Sequence, residues 1–485
     1  MTALLLSWSA PFGFAAEEDG SISPFSDNPW YWAYRGEPVL LRGATDDDNL
    51  FQWTGETLTN HLDLLVSVGG NYVRNTMSDR ETGNVYAFKE DDEGVYDLDQ
   101  WNDEYWDRFE TFLRETHKRG IIVQLTLWDQ FDLSPEHPWL SNKNIDTTST
   151  SAGTEAASGQ EVFHEFSRSD FYNAVEDNNE NLLQYQRKYV DKLLSYTLSY
   201  GHVLYNINNE SSEGAVWENY WAQHLNQAGR EAGRDVYVTS MQFDPSNSVR
   251  HVMSFPDIYG FYEISQNNQD SRGARGHGHW DNIMHWRQKI ASHGPKPMNN
   301  EKVYGGGDGV NNYSAGTETE AINRFWRNIF AGSASSRFHR PTDLDNTVNP
   351  RTWGSGLNAR VQTNLKAMDM LLEELDIFST SPHNDLLSHA VAATPAAVEA
   401  YVLANIGKQY AVYFPQGRYM VNLDPWVYVD RVEVRWLDID QLTWSEPEVV
   451  EVRWEGSELD WGDRGTISLK TPSNRSYVVL VTAIE

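Results

Sequence analysis

The sequence predicts an α/β fold, a (β/α)8 TIM barrel followed by a small C-terminal antiparallel β-sandwich. Three observations carry this expectation. Eight short apolar runs alternate with helical stretches before about residue 384, and eight strand–helix units is the count for a closed barrel. The runs are almost continuously apolar, as strands of a parallel sheet covered on both faces are. After Asn384 the pattern changes to short strands separated by turn residues, which suggests an antiparallel sandwich of about one hundred residues. The expected division is 1–20 as a possible signal or N-terminal tail, 21–384 as the barrel, and 385–485 as the sandwich.

In chain order the expected barrel strands are Val39–Gly43, Tyr72–Thr76, Ile121–Trp128, Val203–Ile207, Val236–Met241, Ile258–Tyr262, Lys296–Asn299 and Ser335–Phe338. Helices are expected at Trp101–Arg119, Asn181–Tyr200, Trp217–Ala232 and Ala321–Phe330. Trp106, Phe109, Phe112, Leu113 and Thr116 recur every three or four residues and mark one buried helical face. The sandwich strands are expected at Glu399–Asn405, Tyr410–Phe414, Tyr419–Leu423, Arg431–Trp436, Val449–Trp454, Thr466–Leu469 and Tyr477–Thr482. An open doubly wound sheet is the rival topology, disfavoured because no Gly-rich dinucleotide turn follows the first strand. Residues 141–161, after the third strand, are Ser/Thr/Asn/Ala/Gly-rich without periodicity, and read as a lid or an inert insertion.

The chain has 485 residues, 38 Lys+Arg against 70 Asp+Glu, a net charge of −32, and no cysteine. A thiol nucleophile, a disulfide scaffold, a cysteine-ligated zinc site and an iron–sulfur cluster are therefore excluded. Such a charge repels phosphate backbones, so no nucleic acid partner is expected. It also disfavours strongly anionic substrates, unless Arg74, Arg340 or other cations reverse the field locally. Met1 to Ala16 holds an apolar run and small residues at Gly13 and Ala15, but no Lys or Arg in its first part; it predicts export, to the periplasm or beyond. No apolar run reaches the ~18 residues of a membrane span. Oligomeric state is not legible.

Barrel chemistry comes from the C-terminal ends of strands. The fourth strand ends Asn208-Asn209-Glu210 and the seventh ends Asn299-Asn300-Glu301. Two carboxyls facing one another across a barrel mouth are what glycosidic cleavage requires: one protonates the leaving oxygen, and the other attacks or stabilises the anomeric carbon. A Glu after a strand is also common in so acidic a chain. Trp128-Asp129 ends the third strand, so Trp128 is expected as a sugar platform, against the ordinary alternative of core packing, and Asp129 and His339 as hydroxyl ligands. Tyr262, after the sixth strand, is expected to hydrogen-bond Glu301 or to pack at the rim. Asp46-Asp47-Asp48 reads best as a solvated acidic cluster. No cofactor and no metal are expected: His277, His279 and His285 lack a supporting carboxylate spacing.

The strand-four Asn-Glu and strand-seven Glu resemble glycoside hydrolase clan A. That resemblance implies Glu210 as acid/base, Glu301 as nucleophile, Asn209 on the sugar hydroxyl beside the anomeric carbon, and Arg74 supporting the nucleophile. Residues 32–45, Lys296–Glu301 and Arg324–Gly332 resemble more narrowly the endoglucanase-like and apiosidase-like group around glycoside hydrolase family 140, in which a small β domain follows the barrel. That group usually has Gly and Tyr shortly after the strand-seven Glu, whereas here Lys302-Val303-Tyr304 precede the glycines. The function implied is retaining hydrolysis of an oligo- or polysaccharide. The alternatives are a catalytically silent carbohydrate-binding barrel and a metal-assisted enzyme on uronic-acid polymers.

Overall fold

The computed structural model describes residues 20–79, 81, 83–145, 168–211, 215–265, 277–305, 317–341, 354–389, 399–417, 420–454 and 465–484. The expected signal segment, most of the 141–161 loop and the glycines after Gly305 lie outside the described residues. The described part is mixed α/β with a β-sheet C-terminal region.

Eight parallel strands, each followed by a helix, make up the first part. The strands are β1 (Leu41–Ala44), β2 (Tyr72–Thr76), β3 (Ile122–Asp129), β4 (Val203–Ser211), β5 (Val238–Gln242), β6 (Tyr262–Glu263), β7 (Met298–Asn299) and β8 (Ser335–Phe338). The helices following them are α1 (Gly55–Ser67), α2 (Asp103–Lys118), α3 (Glu180–Thr197), α4 (Ala215–Glu231), α5 (Pro245–Ser254), α6 (His277–Ala291), α7 (Glu318–Phe330) and α8 (Ala359–Leu372). Strands β2 to β5 pair in chain order, β6 pairs β7, and β8 pairs β1. Backbone hydrogen bonds join the pieces: Asn71 N to Arg42 O (2.9 Å), Gly260 N to Val238 O (2.9 Å) and Ala334 N to Met298 O (2.8 Å). Gly43 is required where β1 meets β2, because a Cβ there would lie 1.9 Å from the Tyr72 carbonyl oxygen.

Local chemistry sets the ends of several elements. Asn102 accepts a hydrogen bond from Glu104 N (3.2 Å), so α2 starts at Asp103 and leaves Trp101 to a strand. Asn179 and Asn358 cap α3 and α8 in the same way. Val39 is not part of β1. It ends a three-stranded antiparallel sheet of Ser23–Pro24, Trp32–Tyr34 and Glu37–Val39. Its two-residue turn, Arg35-Gly36, has φ of 54° and 80°, the left-handed pair that matches strand twist in a tight hairpin. This sheet closes the strand-start end. Ile22, Trp32 and Tyr34 form one cluster with Leu41, Tyr72, Ile122, Leu204, Phe261 and Ala334.

The C-terminal region has two antiparallel sheets. The larger runs Ser381–Pro382, Tyr401–Asn405, Gln409–Phe414, Tyr477–Ile484, Arg431–Asp438 and Thr443–Trp444, with Glu448–Glu451 also on Arg431–Asp438. The smaller comprises Leu387–His389, Met420–Leu423, Gly465–Lys470 and Arg453–Trp454. The single strand expected at Val449–Trp454 is thus two, and the chain passes from one sheet to the other at Val452. Val402, Val412, Phe414, Val432 and Val479 of the larger sheet pack on Val421, Leu423, Ile467 and Leu469 of the smaller. Alternate residues on the other face, Tyr401, Leu403, Ala411, Tyr413, Val478 and Leu480, join the core of the first part instead. There Tyr413 stacks on Trp326 at 5.2 Å, Tyr401 on Trp280 at 4.6 Å, and Glu399 pairs with Arg327 at 2.7 Å. The larger sheet is a wall of the shared core.

Candidate active site

Alternate residues of a strand point to opposite faces. In β2 this leaves Tyr72, Arg74 and Thr76 on one face, in β3 Ile122, Gln124 and Thr126, and in β4 Leu204, Asn206 and Asn208. Side-chain bonds confirm that these faces meet: Tyr72 Oη donates to Gln124 Oε1 (2.6 Å) and Asn206 Nδ2 to Thr126 Oγ1 (3.2 Å). The first residue of each set lies in or against the apolar plug, and polarity rises toward the strand ends.

Glu301, two residues past β7, is fully buried. Gln124 Nε2 donates to its Oε2 at 2.6 Å, and Arg74 Nε lies 3.3 Å from its Oε1. Arg74 also donates to Asn209 Oδ1 (2.8 Å), so one guanidinium spans the ends of β4 and β7. The Lys302 ammonium donates to the same Asn209 oxygen (2.7 Å) and pairs with Glu210. The other end of that amide donates to Asp129 Oδ1 at 3.1 Å. Asn209, Glu210, Asp129, Arg74 and Glu301 are therefore one connected group, assembled from four strand ends.

Glu210 has a backbone φ of 60°, unusual for a non-glycine residue and costing on the order of 1–3 kcal/mol. Such strain persists only where the surroundings hold it. Behind it, the buried Glu218 of α4 accepts from Ser211 Oγ (2.5 Å), Ser240 Oγ (2.6 Å) and Gln242 Nε2 (3.0 Å), tying the ends of β4 and β5 together.

Asp48 overturns the expectation of a solvated acidic cluster. It is buried, with Arg337 at 2.8 Å, Arg340 at 3.1 Å, Arg74 at 3.6 Å and His339 Nδ1 at 3.5 Å. Burial alone would raise its carboxyl, but its interactions with His339, Arg74, Arg337 and Arg340 outweigh burial and hold it well below the usual carboxylate range. His339 stacks on Tyr304 at 4.6 Å. Burial, aided by the neighbouring arginines, pushes its imidazole well below the ordinary histidine value in spite of Asp48, so it is neutral.

Two expectations about Glu301 are revised. Arg74 does lie beside it, yet burial outweighs Arg74, Lys302 and Arg337, and its carboxyl is raised rather than lowered. Tyr262 is not its hydrogen-bond partner. Tyr262 packs in the hydrophobic core, and the next residue, Glu263, faces Glu301 across Gln124 because a strand alternates. Glu210 meets Lys302, and the Tyr304 hydroxyl, raised chiefly by burial, lies near enough to be raised further by its charge.

Trp128 is not a platform. It is buried against Trp217 (4.8 Å), Trp221 (5.1 Å), Phe171 and Tyr189, and borders a cavity of only about 20 Å³, room for one water. Trp139 and Trp280 are likewise buried core residues, and Trp353 lies outside the described residues. Gln124 and Glu263 were not singled out from sequence, and Lys302 and Tyr304 entered only as a departure from the family pattern. Polar residues at alternate positions in Ile122-Val123-Gln124-Leu125-Thr126 were a usable signal for Gln124.

No family model matches the sequence, and no curated protein does. Solved structures do share the fold. A glycoside hydrolase family 5 protein from Bacteroides vulgatus superposes with a TM-score of 0.63 at 12% identity, covering 96% of this chain and 94% of its own. A structure described as a glycoside hydrolase gives 0.64 at 12%, over 96% and 97%. A family 5 mannosidase from Rhizomucor miehei, solved as a mutant with mannosyl-fructose, gives 0.50 at 12%, over 75% and 99%. This chain therefore has the overall fold of glycoside hydrolase family 5 proteins, which belong to clan A.

Proposed function

We propose that the protein is a retaining glycoside hydrolase acting on an oligo- or polysaccharide, with a closed (β/α)8 barrel over 21–384 and a β-sandwich over 385–485. The observation that carries the reading is the Arg74–Asn209–Lys302 bridge, which joins the strand-seven carboxylate Glu301 to the strand-four carboxylate Glu210. Double displacement needs two carboxyls ~5–5.5 Å apart. Glu301 attacks the anomeric carbon and forms a glycosyl-enzyme. Glu210 gives its proton to the leaving oxygen, then takes one from the water that releases the sugar. The leaving-group oxygen replaces Lys302 as the partner of Glu210 in that step.

Asn209 Nδ2 and Asp129 are placed to meet sugar hydroxyls. Arg74, Arg337, Arg340 and Lys302 are each paired with a carboxylate, which favours a neutral glycan. The stretches that resemble family 140 supply β7 with Glu301 and helix α7, so the apiosidase-like group is the narrower assignment we favour. Export is the matching location; among the described residues no helix is long and apolar enough to cross a membrane.

The test is a hydrolysis screen over plant and algal glycans, starting with mannosides because one structural neighbour is a mannosidase, with NMR reading the anomer first released. Retention is expected. Glu301→Ala and Glu210→Ala should each nearly abolish cleavage in a folded protein, and full activity in either one sinks the assignment.

A further inference from the structure

Glu263 is a further carboxyl inside the site, and the mechanism above does not use it. It is 1% exposed, and its Oε2 accepts from the same Gln124 nitrogen (3.0 Å) that holds Glu301 Oε2 (2.6 Å). Gln124 cannot turn over, because its oxygen accepts from Tyr72 Oη (2.6 Å) and Asn299 Nδ2 (2.8 Å). Glu263 Oε1 accepts from Ser265 N (2.8 Å) and from the Ser265 hydroxyl, which in turn accepts from the backbone N–H of Glu301 (2.7 Å) and Lys302 (2.9 Å). Gln124 thus joins the two carboxyls directly, and Ser265 ties the Glu263 carboxyl to the Glu301 backbone.

Their surroundings differ in one respect. Glu301 has Arg74 from β2, with Lys302 beside it and Arg337 from β8 donating to its carbonyl (2.9 Å). Asp48, from the β1 side, is the opposing charge on Glu301, and Tyr72 is the neutral phenol between the strands. Glu263 has no ion pair among the described residues, and the charge that presses on it most is Glu301. Two like charges on one donor in a dry site cannot both be held at low cost.

We propose that Glu263 and Glu301 hold one proton between them, carried by Glu263, so that Glu263 is a positioning residue that fixes Glu301 as the single carboxylate of the pair. Burial and the Glu301 charge push the Glu263 carboxyl up to about 8, in the same direction. The inference rests on the reading of Glu301 as nucleophile for its kinetic consequence only.

The experiment is infrared difference spectroscopy of the full-length protein, wild type minus Glu263→Gln, across pH 6 to 9. A protonated-carboxyl C=O band is expected below neutrality and should vanish as pH rises through about 8. In Glu301→Gln, where the neighbouring charge is gone, the same band should vanish at lower pH. No band in the difference spectrum, or a band lost in Glu301→Gln and retained in Glu263→Gln, overturns the proposal.

A kinetic arm uses 4-nitrophenyl glycosides. Glu263→Ala should lower kcat by roughly 10-fold or more with KM changed less than about threefold, and Glu263→Gln should restore most of the loss. An unchanged kcat in Glu263→Ala overturns the positioning role. A wild type silent on every glycoside defeats the hydrolase reading instead, and the infrared band still decides where the proton sits.

Discussion

The two ends of the same eight strands are chemically opposite. At their starts, Leu41, Tyr72, Ile122, Leu204 and Phe261 close on Trp32 and Ile22 in a dry apolar plug. At their ends, within a few residues, stand Asp48, Arg74, Asp129, Asn209, Glu210, Glu263 and Glu301. The apolar end gains stability from area removed from water, at ~25 cal/mol per Å². The polar end keeps buried charges, a left-handed Glu210 and a coupled carboxyl pair, all of which cost stability. One end supports the fold, and the other carries the chemistry with strain the first end offsets.

The largest break in this contrast is expected at Asp48. Asp48→Ala leaves Arg74, Arg337 and Arg340 without their shared carboxylate in a buried site, which costs ~3–5 kcal/mol by the usual cost of breaking a buried pair. Denaturant unfolding should show that loss, and glycoside hydrolysis should fall with it because Arg74 is released. At the other end, Trp32→Ala opens a cavity and strands Asn299 Oδ1, which accepts from Trp32 Nε1 at 2.9 Å; ~3–5 kcal/mol is again expected, but with kcat per folded molecule retained. A kcat collapse in Trp32→Ala would erase the distinction between the ends.

Trp128→Ala sharpens the contrast from within the strand-end half. A core residue should cost ~3–5 kcal/mol in stability with little change in glycan affinity, whereas a sugar platform would show the reverse. Calorimetric titration with the best glycan from the screen distinguishes the two.

The smallest effects are in pH dependence. Glu263 binds a proton more tightly when folded, so between about pH 4.5 and 8 the folded state holds more protons than the unfolded one. Its contribution is fully present below that window and is lost as pH rises through it. Glu263→Gln should flatten the fall. The buried histidines run oppositely. His202, lowered to about 3 by burial, and His339 stay neutral when folded, so their contribution is present above pH 6.5 and is lost as pH falls below it. Unfolding midpoints from pH 4 to 9 check both slopes.

Much was legible beforehand. Tyr72–Thr76 and Ser335–Phe338 matched the strands residue for residue, even though Arg74, Asn75 and Arg337 interrupt their apolar pattern. The helical face of Trp106, Phe109, Phe112, Leu113 and Thr116 is buried as its spacing predicts. Short strands were harder: β6 and β7 are two residues each, and the expected Ile258–Tyr262 stops short of Glu263. Strand-end position was enough to bring Arg74, Asn209, Glu210, Asp129 and Glu301 into one group. It could not assign partners, because pairing across the sheet is a property of register and not of local sequence.

The sequence by itself determined the alternation of strands and helices, the change to short strands near 384, and the absence of any thiol or disulfide chemistry. It also determined which strand ends carry carboxylates, since strand direction puts them all on one rim. Only the tertiary structure decided that Asp48 is a buried ion hub, that Lys302 meets Glu210, and that Glu263 and Glu301 share one amide donor. The reason is physical. Hydrophobic periodicity is written along the chain, but the field at a buried carboxyl is set by charges tens to hundreds of residues away, brought close only when the sheet forms.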